Sequence, residues 1–463
     1  MQNENKMGIQ PVGRLLITMS IPMMISMLVQ ALYNIVDSMY VAQMGEAALT
    51  AVSLAFPWQN LIIAVAVGTG VGVNAMLSRW LGAGQKDLVK SCADHSLILA
   101  VLSSIVFAVV GYFISHMFFS FQTDVEEIVG YGDQYMEIVS VFSLGVFIGC
   151  TCEKLLSATG RTMLTMITQI VGAVINIILD PILIFGLYGA PELGVAGAAI
   201  ATVIGQWCGA IIGLYLNFRH NPDIQISYKG FKWNSTVVQQ IYSVGLPSII
   251  MQSIGSVMTY LMNLILVGFT TTATAVFGVY FKLQSFVFMP IFGLNNGLVP
   301  IAAYNYGARK PERILGVFKV GVLTSTLIML AGFLLFQFFP ATLLGLFKPS
   351  EAMLAIGVPA LRIISWSFLL AGYGIQCSSL FQALGHGMLS MWASIIRQLA
   401  ALIPIAWILS RLGNLDAVWL AFPAAEIISA IVCTLFLVRI IKLQINPLKL
   451  EKKFDAALDG TAL

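Results

Sequence analysis

Charge is what this chain has least of. Only 10% of its 463 residues are charged, while 58% are hydrophobic; soluble domains carry about 25% charged residues. The shortage excludes an ordinary water-soluble globule. A net charge of +3 leaves no electrostatic footprint for nucleic acid, and no such partner is expected. The β-barrel signature, alternating segments of about ten residues, is missing as well.

Several chemistries are absent too. No G-x-x-x-x-G-K-[ST] loop occurs, so ATP hydrolysis within this chain is not expected. Gly68-Thr-Gly70-Val-Gly72 lies inside an apolar run and reads as a close-packing stretch. The four histidines, His95, His116, His220 and His386, do not cluster, and H-E-x-x-H is missing. The six cysteines (Cys92, Cys150, Cys152, Cys208, Cys377 and Cys433) read as free thiols, mostly buried. Neither a nucleophile–base set nor a Gly-x-Gly-Asp pattern is seen. The chain is read as a non-enzyme with no catalytic residues, no structural metal and no cofactor.

What is present is long apolar runs. They lie at about 15–42, 52–78, 92–118, 134–156, 162–187, 194–217, 240–268, 276–303, 315–339, 357–381, 389–410 and 417–441. A bilayer needs about 20 apolar residues per helix, and only helices or closed barrels satisfy their backbone in lipid. The expected fold is an all-α integral membrane protein with twelve transmembrane helices. The first run follows Arg14 without a small-residue cleavage signature, so it reads as a retained span.

Basic residues sort to one side of these spans. That side collects Lys6, Arg14, Arg79, Lys86, Lys90, Lys154, Arg161, Arg219, Lys229, Lys232, Arg309, Lys310, Arg313, Lys319 and the run from Arg439 to Lys453. The other side has Lys348, Arg362 and Arg411, with the acids Glu46, Asp124, Glu126, Glu127 and Glu192. Positive residues stay cytosolic, so both termini are expected there. The expected organisation is an N-terminal bundle with the cation site (1–217), a cytosolic linker (218–239), a C-terminal bundle (240–441) and a cytosolic tail (442–463) whose end is disordered. Asn234-Ser-Thr236 fits a glycosylation sequon but falls in the cytosolic linker, where it stays unused.

The chain also repeats itself at an offset of 225 residues. Pro22 matches Pro247, Gln59 matches Gln284, and Gly68 and Gly72 match Gly293 and Gly297. Gly82-Ala83 matches Gly307-Ala308, Ser140 matches Ser365, and Gly160 matches Gly385. Each half holds six spans and enters from the same side. The two six-helix bundles are therefore expected to be related by a pseudo-two-fold axis along the membrane normal, with a cavity between them that opens to alternate sides. Prolines inside spans (Pro22, Pro57, Pro181, Pro247, Pro290, Pro404, Pro423) are expected to kink helices and free carbonyls.

The chemistry gathers in the first half. Gln30, Tyr33, Asn34 and Asp37 share one helical face, as do Asn176 and Asp180. An acid at membrane depth is a functional hypothesis by default. With Thr202 and the Ala198 carbonyl, Asp37, Asn176 and Asp180 compose an oxygen cage suited to a small cation. The same acids could instead hold a proton, so the coupling ion is H+ or Na+. In the second half the counterpart of Asp37 is Met262 and that of Asp180 is Ile405, so the site is confined to one bundle. Arg397 either anchors a neighbouring helix through carbonyls or Glu426, or lines the cavity; Lys282 either snorkels or does the same. Met258, Phe286 and Met289 are cavity candidates, because thioethers and aromatic faces suit apolar cations. Glu153, beside Lys154, is a candidate gate.

Asn176-Ile-Ile-Leu-Asp180-Pro181 followed by Gly194-Val-Ala-Gly197-Ala198-Ala-Ile-Ala-Thr202 resembles the multidrug and toxic compound extrusion (MATE) family. So do the pattern around Gln30, Tyr33 and Asp37 and the stretch Glu153-Lys154-Leu-Leu-Ser-Ala-Thr-Gly160-Arg161. The resemblance implies antiport: a cation enters while an organic, often cationic, amphiphilic compound leaves. It places the cation site at Asp37, Asn176, Asp180, Thr202 and the Ala198 carbonyl, with Gln30, Tyr33 and Pro22 at neighbouring functional positions. Acids that one branch of the family carries in spans 7 and 10 are missing here. The expected protein is a plasma-membrane multidrug exporter working as a monomer in the bilayer. A lipid-linked oligosaccharide flippase of the same architecture is the alternative.

Overall fold

Lipid offers no partner to a backbone N–H or C=O, so an apolar run of this length must satisfy its own groups as helix. In the computed structural model, which describes residues 5–227, 231–347 and 349–451, there is no strand among the described residues. The principal helices are α1 (Val12–Gln43), α2 (Glu46–Gly82), α3 (Lys86–Ser120), α4 (Glu126–Val141), α5 (Leu144–Ala158), α6 (Thr162–Phe185) and α7 (Gly194–His220). They continue with α8 (Ser235–Val267), α9 (Thr271–Gly307), α10 (Pro311–Phe338), α11 (Glu351–Ser365), α12 (Phe368–Ala383), α13 (Gly387–Ser410) and α14 (Leu415–Glu451). Ten are single helices long and apolar enough to cross a bilayer. The pairs α4–α5 and α11–α12, bent by 47° and 50°, complete twelve spans. Lys229, Lys348 and the tail beyond Glu451 lie outside the described residues.

Most helices outrun the apolar stretches that announce them. The run at about 52–78 sits inside the 37 residues of α2, whose ends carry Glu46 and Arg79. Charged turns at helix ends contribute backbone hydrogen bonds but no hydropathy, so a hydropathy reading truncates them. Prolines do lie inside helices at Pro22, Pro57, Pro181, Pro247 and Pro290. The two sharp breaks are elsewhere, at Phe142-Ser143 and Trp366-Ser367. At the first, the Ser143 hydroxyl donates to the Ser104 carbonyl of α3 at 3.4 Å, which ties the bend to a neighbouring helix. Pro404 has a different effect. It follows a π-helical segment, Ile396–Leu402, inside α13. A proline ring removes one hydrogen bond and crowds the carbonyl four residues back, and the wider π turn relieves that crowding.

Contacts divide the chain into two compact units. One comprises Ile25–Leu81 and Gln85–Gly245; the other comprises Met1–Met24, Gly82–Gly84 and Leu246–Leu463. Helices α1 and α8 therefore each begin in one unit and continue in the other.

In the unit containing Ile25–Leu81, Trp58 is nearly buried and its indole N–H donates to the Ser140 hydroxyl at 2.8 Å. Helices α2 and α8 touch backbone to backbone, because a Cβ on Gly72 would stand 2.1 Å from the Ile241 oxygen. His95 on α3 is fully buried. Its Nδ1 lies 2.7 Å from the Ser91 carbonyl, and its Nε2 accepts the Asn234 backbone N–H at 2.8 Å. The Asp94 carboxylate accepts the Ser227 N–H at 3.1 Å. Two neighbouring residues thus hold the segment that leads into α8.

The other unit packs Phe277, Tyr280, Phe368 and Trp419 into its interior, all at most 1% exposed. Here the segment leading into α1 is held in turn. Asn305 Nδ2 and Arg313 Nη2 both donate to the Met7 carbonyl at 3.0 Å. Arg313 Nη2 also donates to the Gln10 carbonyl at 2.7 Å, and Lys310 to Gly8 at 3.0 Å.

Candidate functional site

Helix α6 turns the usual amphipathic pattern inside out. Its buried side carries Thr165, Thr168, Asn176 and Asp180, while Met163, Val174 and Ile178 are exposed. In lipid that arrangement is the favourable one, because polar side chains find partners only inside the bundle. Asp180 is fully buried, Asn176 is 2% exposed, and Thr202 on α7 is 4% exposed. Small residues let α7 come close. A Cβ on Gly197 would meet the Leu183 carbonyl at 2.4 Å, and one on Gly205 would meet the Gly172 carbonyl at 2.7 Å. Helix α6 then ends at Gly186, whose φ of 68° is left-handed.

One amide orientation of Asn176 gives every group a partner. Its oxygen accepts from the Thr202 hydroxyl at 3.2 Å and from the Thr202 backbone N–H at 3.1 Å, and its nitrogen donates to Asp180 Oδ2 at 3.2 Å. The reverse orientation points the nitrogen at both Thr202 Oγ1 (3.2 Å) and Asp180 Oδ1 (3.4 Å) and leaves the amide oxygen idle. We adopt the former on hydrogen-bond satisfaction. In a regular helix the Thr202 N–H belongs to the Ala198 carbonyl. Asn176 competes for it one turn from Ala198, which is 1% exposed.

Helix α1 brings the second acid. Asp37 is half-buried, and its carboxyl is within hydrogen-bonding contact of Asp180. A hydrogen bond between two carboxyls needs one proton on the pair. One Asp37 oxygen, Oδ1, is buried and has no hydrogen-bond partner from any donor among the described residues. Two phenols stand close by. Tyr33 is within electrostatic reach of both acids, and so is Tyr135 on α4. Gln59 on α2 donates to the Tyr135 hydroxyl at 3.3 Å.

Five of the residues read from the sequence are thus on three adjoining helices: Tyr33, Asp37, Asn176, Asp180 and Thr202. Tyr135 and Gln59 complete the polar cluster and were not anticipated for it. Gln59 had stood out only as a repeat match to Gln284. Tyr135 gave no signal, because a tyrosine in an apolar run resembles any interfacial aromatic.

Other candidates sit apart. Gln30 and Asn34 are exposed on α1, and the Asn34 carbonyl accepts from Ser38 at 2.9 Å. Glu153 accepts from Gln169 Nε2 at 2.8 Å, within its own bundle. Met258 is packed into the interior of the second-half unit, Met289 is half-buried, and Phe286 is 49% exposed. Lys282 lies 6.0 Å from the Phe347 ring centroid. Arg397 pairs with Glu426 at 3.5 Å. Among the described residues no group of three or more His, Cys, Asp or Glu is placed to hold a metal ion.

The repeat has a counterpart among known proteins. The MatE family model matches residues 22–182 and again residues 247–408, two matches that begin 225 residues apart. The chain belongs to the MatE family. The multidrug export protein MepA of Staphylococcus haemolyticus is 28% identical over 421 residues, covering 89% of this MatE chain and 90% of its own length. MepA of Staphylococcus saprophyticus is 26% identical over 419 residues, 90% of this chain and 91% of that one. A structure of the outward-facing conformation of a multidrug resistance MATE family transporter of the MOP superfamily superimposes with a TM-score of 0.90 at 26% identity. It covers 97% of this chain and 99% of the other.

Proposed function

We propose that this MatE protein exports amphiphilic, often cationic, organic compounds across the plasma membrane, in antiport with a proton or sodium ion. The observation that carries the reading is the contact of two intramembrane carboxyls, Asp37 and Asp180, beside the Asn176–Thr202 pair. An acid pair at that depth is costly unless a cation or proton occupies it for part of a cycle. The multidrug export of the MepA relatives supports the choice of substrate class. In this reading residues 1–217 and 240–441 form two bundles that rock in alternation, with the linker at 218–239 and both termini in the cytosol. The unit works as a monomer, with no cofactor.

The flippase alternative finds less support. Binding a lipid-linked phosphate calls for free basic residues. Arg397 is committed to Glu426, and Arg362 Nε donates to the Gln337 carbonyl at 3.2 Å.

Dye efflux from everted vesicles, with proton and sodium gradients imposed separately, tests the proposal. One gradient is expected to drive efflux, and Asp37→Asn and Asp180→Asn are each expected to abolish that dependence. Efflux that ignores both gradients, or survives both substitutions, overturns it.

A further inference from the structure

The second half carries charge of its own at the helix pair equivalent to α6–α7. Arg397 Nη1 lies 3.5 Å from Glu426 Oε1, and the two side chains are 24% and 13% exposed. The 225-residue offset maps Arg397 onto Gly172 and Glu426 onto Ala201. In the first half those positions lie at the close glycine crossing of α6 and α7, where a Cβ on Gly172 would stand 3.0 Å from the Gly205 oxygen. Arg397 is one turn before Ala401, the counterpart of Asn176, and Glu426 directly precedes Ile427, the counterpart of Thr202. The pair therefore stands about one turn from where the first half gathers its oxygen ligands.

Three further features mark this as more than a surface bridge. Arg397 lies within the π-helical segment Ile396–Leu402, and π turns recur at functional positions. Glu426 Oε2 is buried and has no hydrogen-bond partner among the described residues. Tyr280, 1% exposed, is within electrostatic reach of both charges, and Phe422 packs edge-on against its ring at 5.9 Å. A carboxylate with one oxygen on a guanidinium and one idle, in an aromatic-walled interior, is a cation site with a cation already in it.

We propose that Glu426 is a monovalent-cation-binding carboxylate whose resident ligand is the Arg397 guanidinium. The first bundle takes a free ion at its α6–α7 pair, a point that rests on the antiport reading above; the second holds a tethered one at α13–α14. Removing the guanidinium opens Glu426 to a small cation or a proton. Guanidinium itself is the best free substitute, because it restores the planar N–H donors that face a carboxylate.

The test is carbodiimide labelling of Glu426 in the purified full-length protein, read by peptide mass spectrometry. Carbodiimide adds to a protonated carboxyl in apolar surroundings. Wild-type Glu426 is expected to resist, and in Arg397→Ala it is expected to label roughly tenfold faster or more, since an unpaired buried carboxylate neutralises itself. Added guanidinium chloride at millimolar concentration restores protection, whereas tetramethylammonium chloride at equal ionic strength does not. Arg397→Lys, which keeps a tethered cation and guards against failure of the alanine variant to fold, is expected to stay protected. Equal labelling of wild type and Arg397→Ala, indifference of Arg397→Ala to guanidinium, or full labelling of Arg397→Lys overturns the proposal. No transport is measured, so this outcome is separate from that of the efflux experiment.

Discussion

Asn176 and Thr202 meet twice: the Asn176 amide oxygen takes both the hydroxyl (3.2 Å) and the backbone N–H (3.1 Å) of Thr202. The contact ties α6 to α7 at the depth of Asp180 and fixes which way the Asn176 nitrogen faces. Replacing Asn176 by alanine leaves a buried hydroxyl and a buried carboxyl each short of a partner. Each orphaned group costs about 1–3 kcal/mol. Asn176→Ala is expected to lower the melting temperature of the purified protein and to weaken its response to the driving ion. An unchanged melting curve argues against the contact.

Tyr135 is expected to act on the ion site without building the fold around it. Its hydroxyl accepts from Gln59 at 3.3 Å, and it is within electrostatic reach of both acids. Tyr135→Phe removes one hydrogen-bonding group, about 1 kcal/mol, which corresponds to roughly a fivefold rise in the ion concentration for half-maximal efflux. Maximal efflux stays near wild type. Gln59→Leu should shift the same midpoint in the same direction. A midpoint that moves in neither variant removes both residues from the site.

Glycines separate into two classes that a substitution series can read. Alanine at Gly72 would place its Cβ 2.1 Å from the Ile241 oxygen, and at Gly82 1.9 Å from the Tyr304 oxygen, both backbone atoms that cannot step aside. Overpacking of this kind costs about 1–3 kcal/mol or more. Both variants are expected to lose most of their folded yield on size-exclusion chromatography. Gly130→Ala and Gly278→Ala, in helices with nothing within 4 Å, are expected to match wild type or gain slightly.

His95 makes a prediction about the segment between the two halves. Its Nε2 is the acceptor for Asn234 N–H, and its ring lies against Phe231 and Trp233 at 4.8 and 5.2 Å. His95→Ala removes the acceptor and the ring together. Limited proteolysis of the variant is expected to cut within residues 221–234 several times faster than in wild type. Equal cutting rates show that other contacts hold the segment.

Twelve spans, the repeat and the acids of the first-half cluster were legible because each rests on a property a linear sequence displays: apolar run length, constant offset, and an ionisable residue where lipid forbids one. What stayed hidden depends on neighbours far away in the chain. The bends at Phe142-Ser143 and Trp366-Ser367 carry no proline, so nothing local marked them. Helix ends were underestimated because charged turns at Glu46 and Arg79 look like loop to a hydropathy reading. Asn176 and Asp180 announced themselves on one helical face, whereas Tyr135 and Gln59 joined them only through tertiary packing. For Arg397 the sequence left two readings open, and the guanidinium lies 3.5 Å from Glu426, the acid that one of them named.

The anchoring of the α1 lead-in has a consequence for biosynthesis. Met7 and its partner Asn305 are 298 residues apart in the chain. At about 5–20 residues per second on the ribosome, the lead-in waits roughly 15–60 s before Asn305, Lys310 and Arg313 exist to receive it. For that interval α1 sits in the bilayer with its start unanchored and its acid, Asp37, already among the helices that follow. The helix made first is thus among the last to be closed, and a ribosome stalled before Asn305 leaves a nascent chain whose Met7, Gly8 and Gln10 carbonyls still await their side-chain donors.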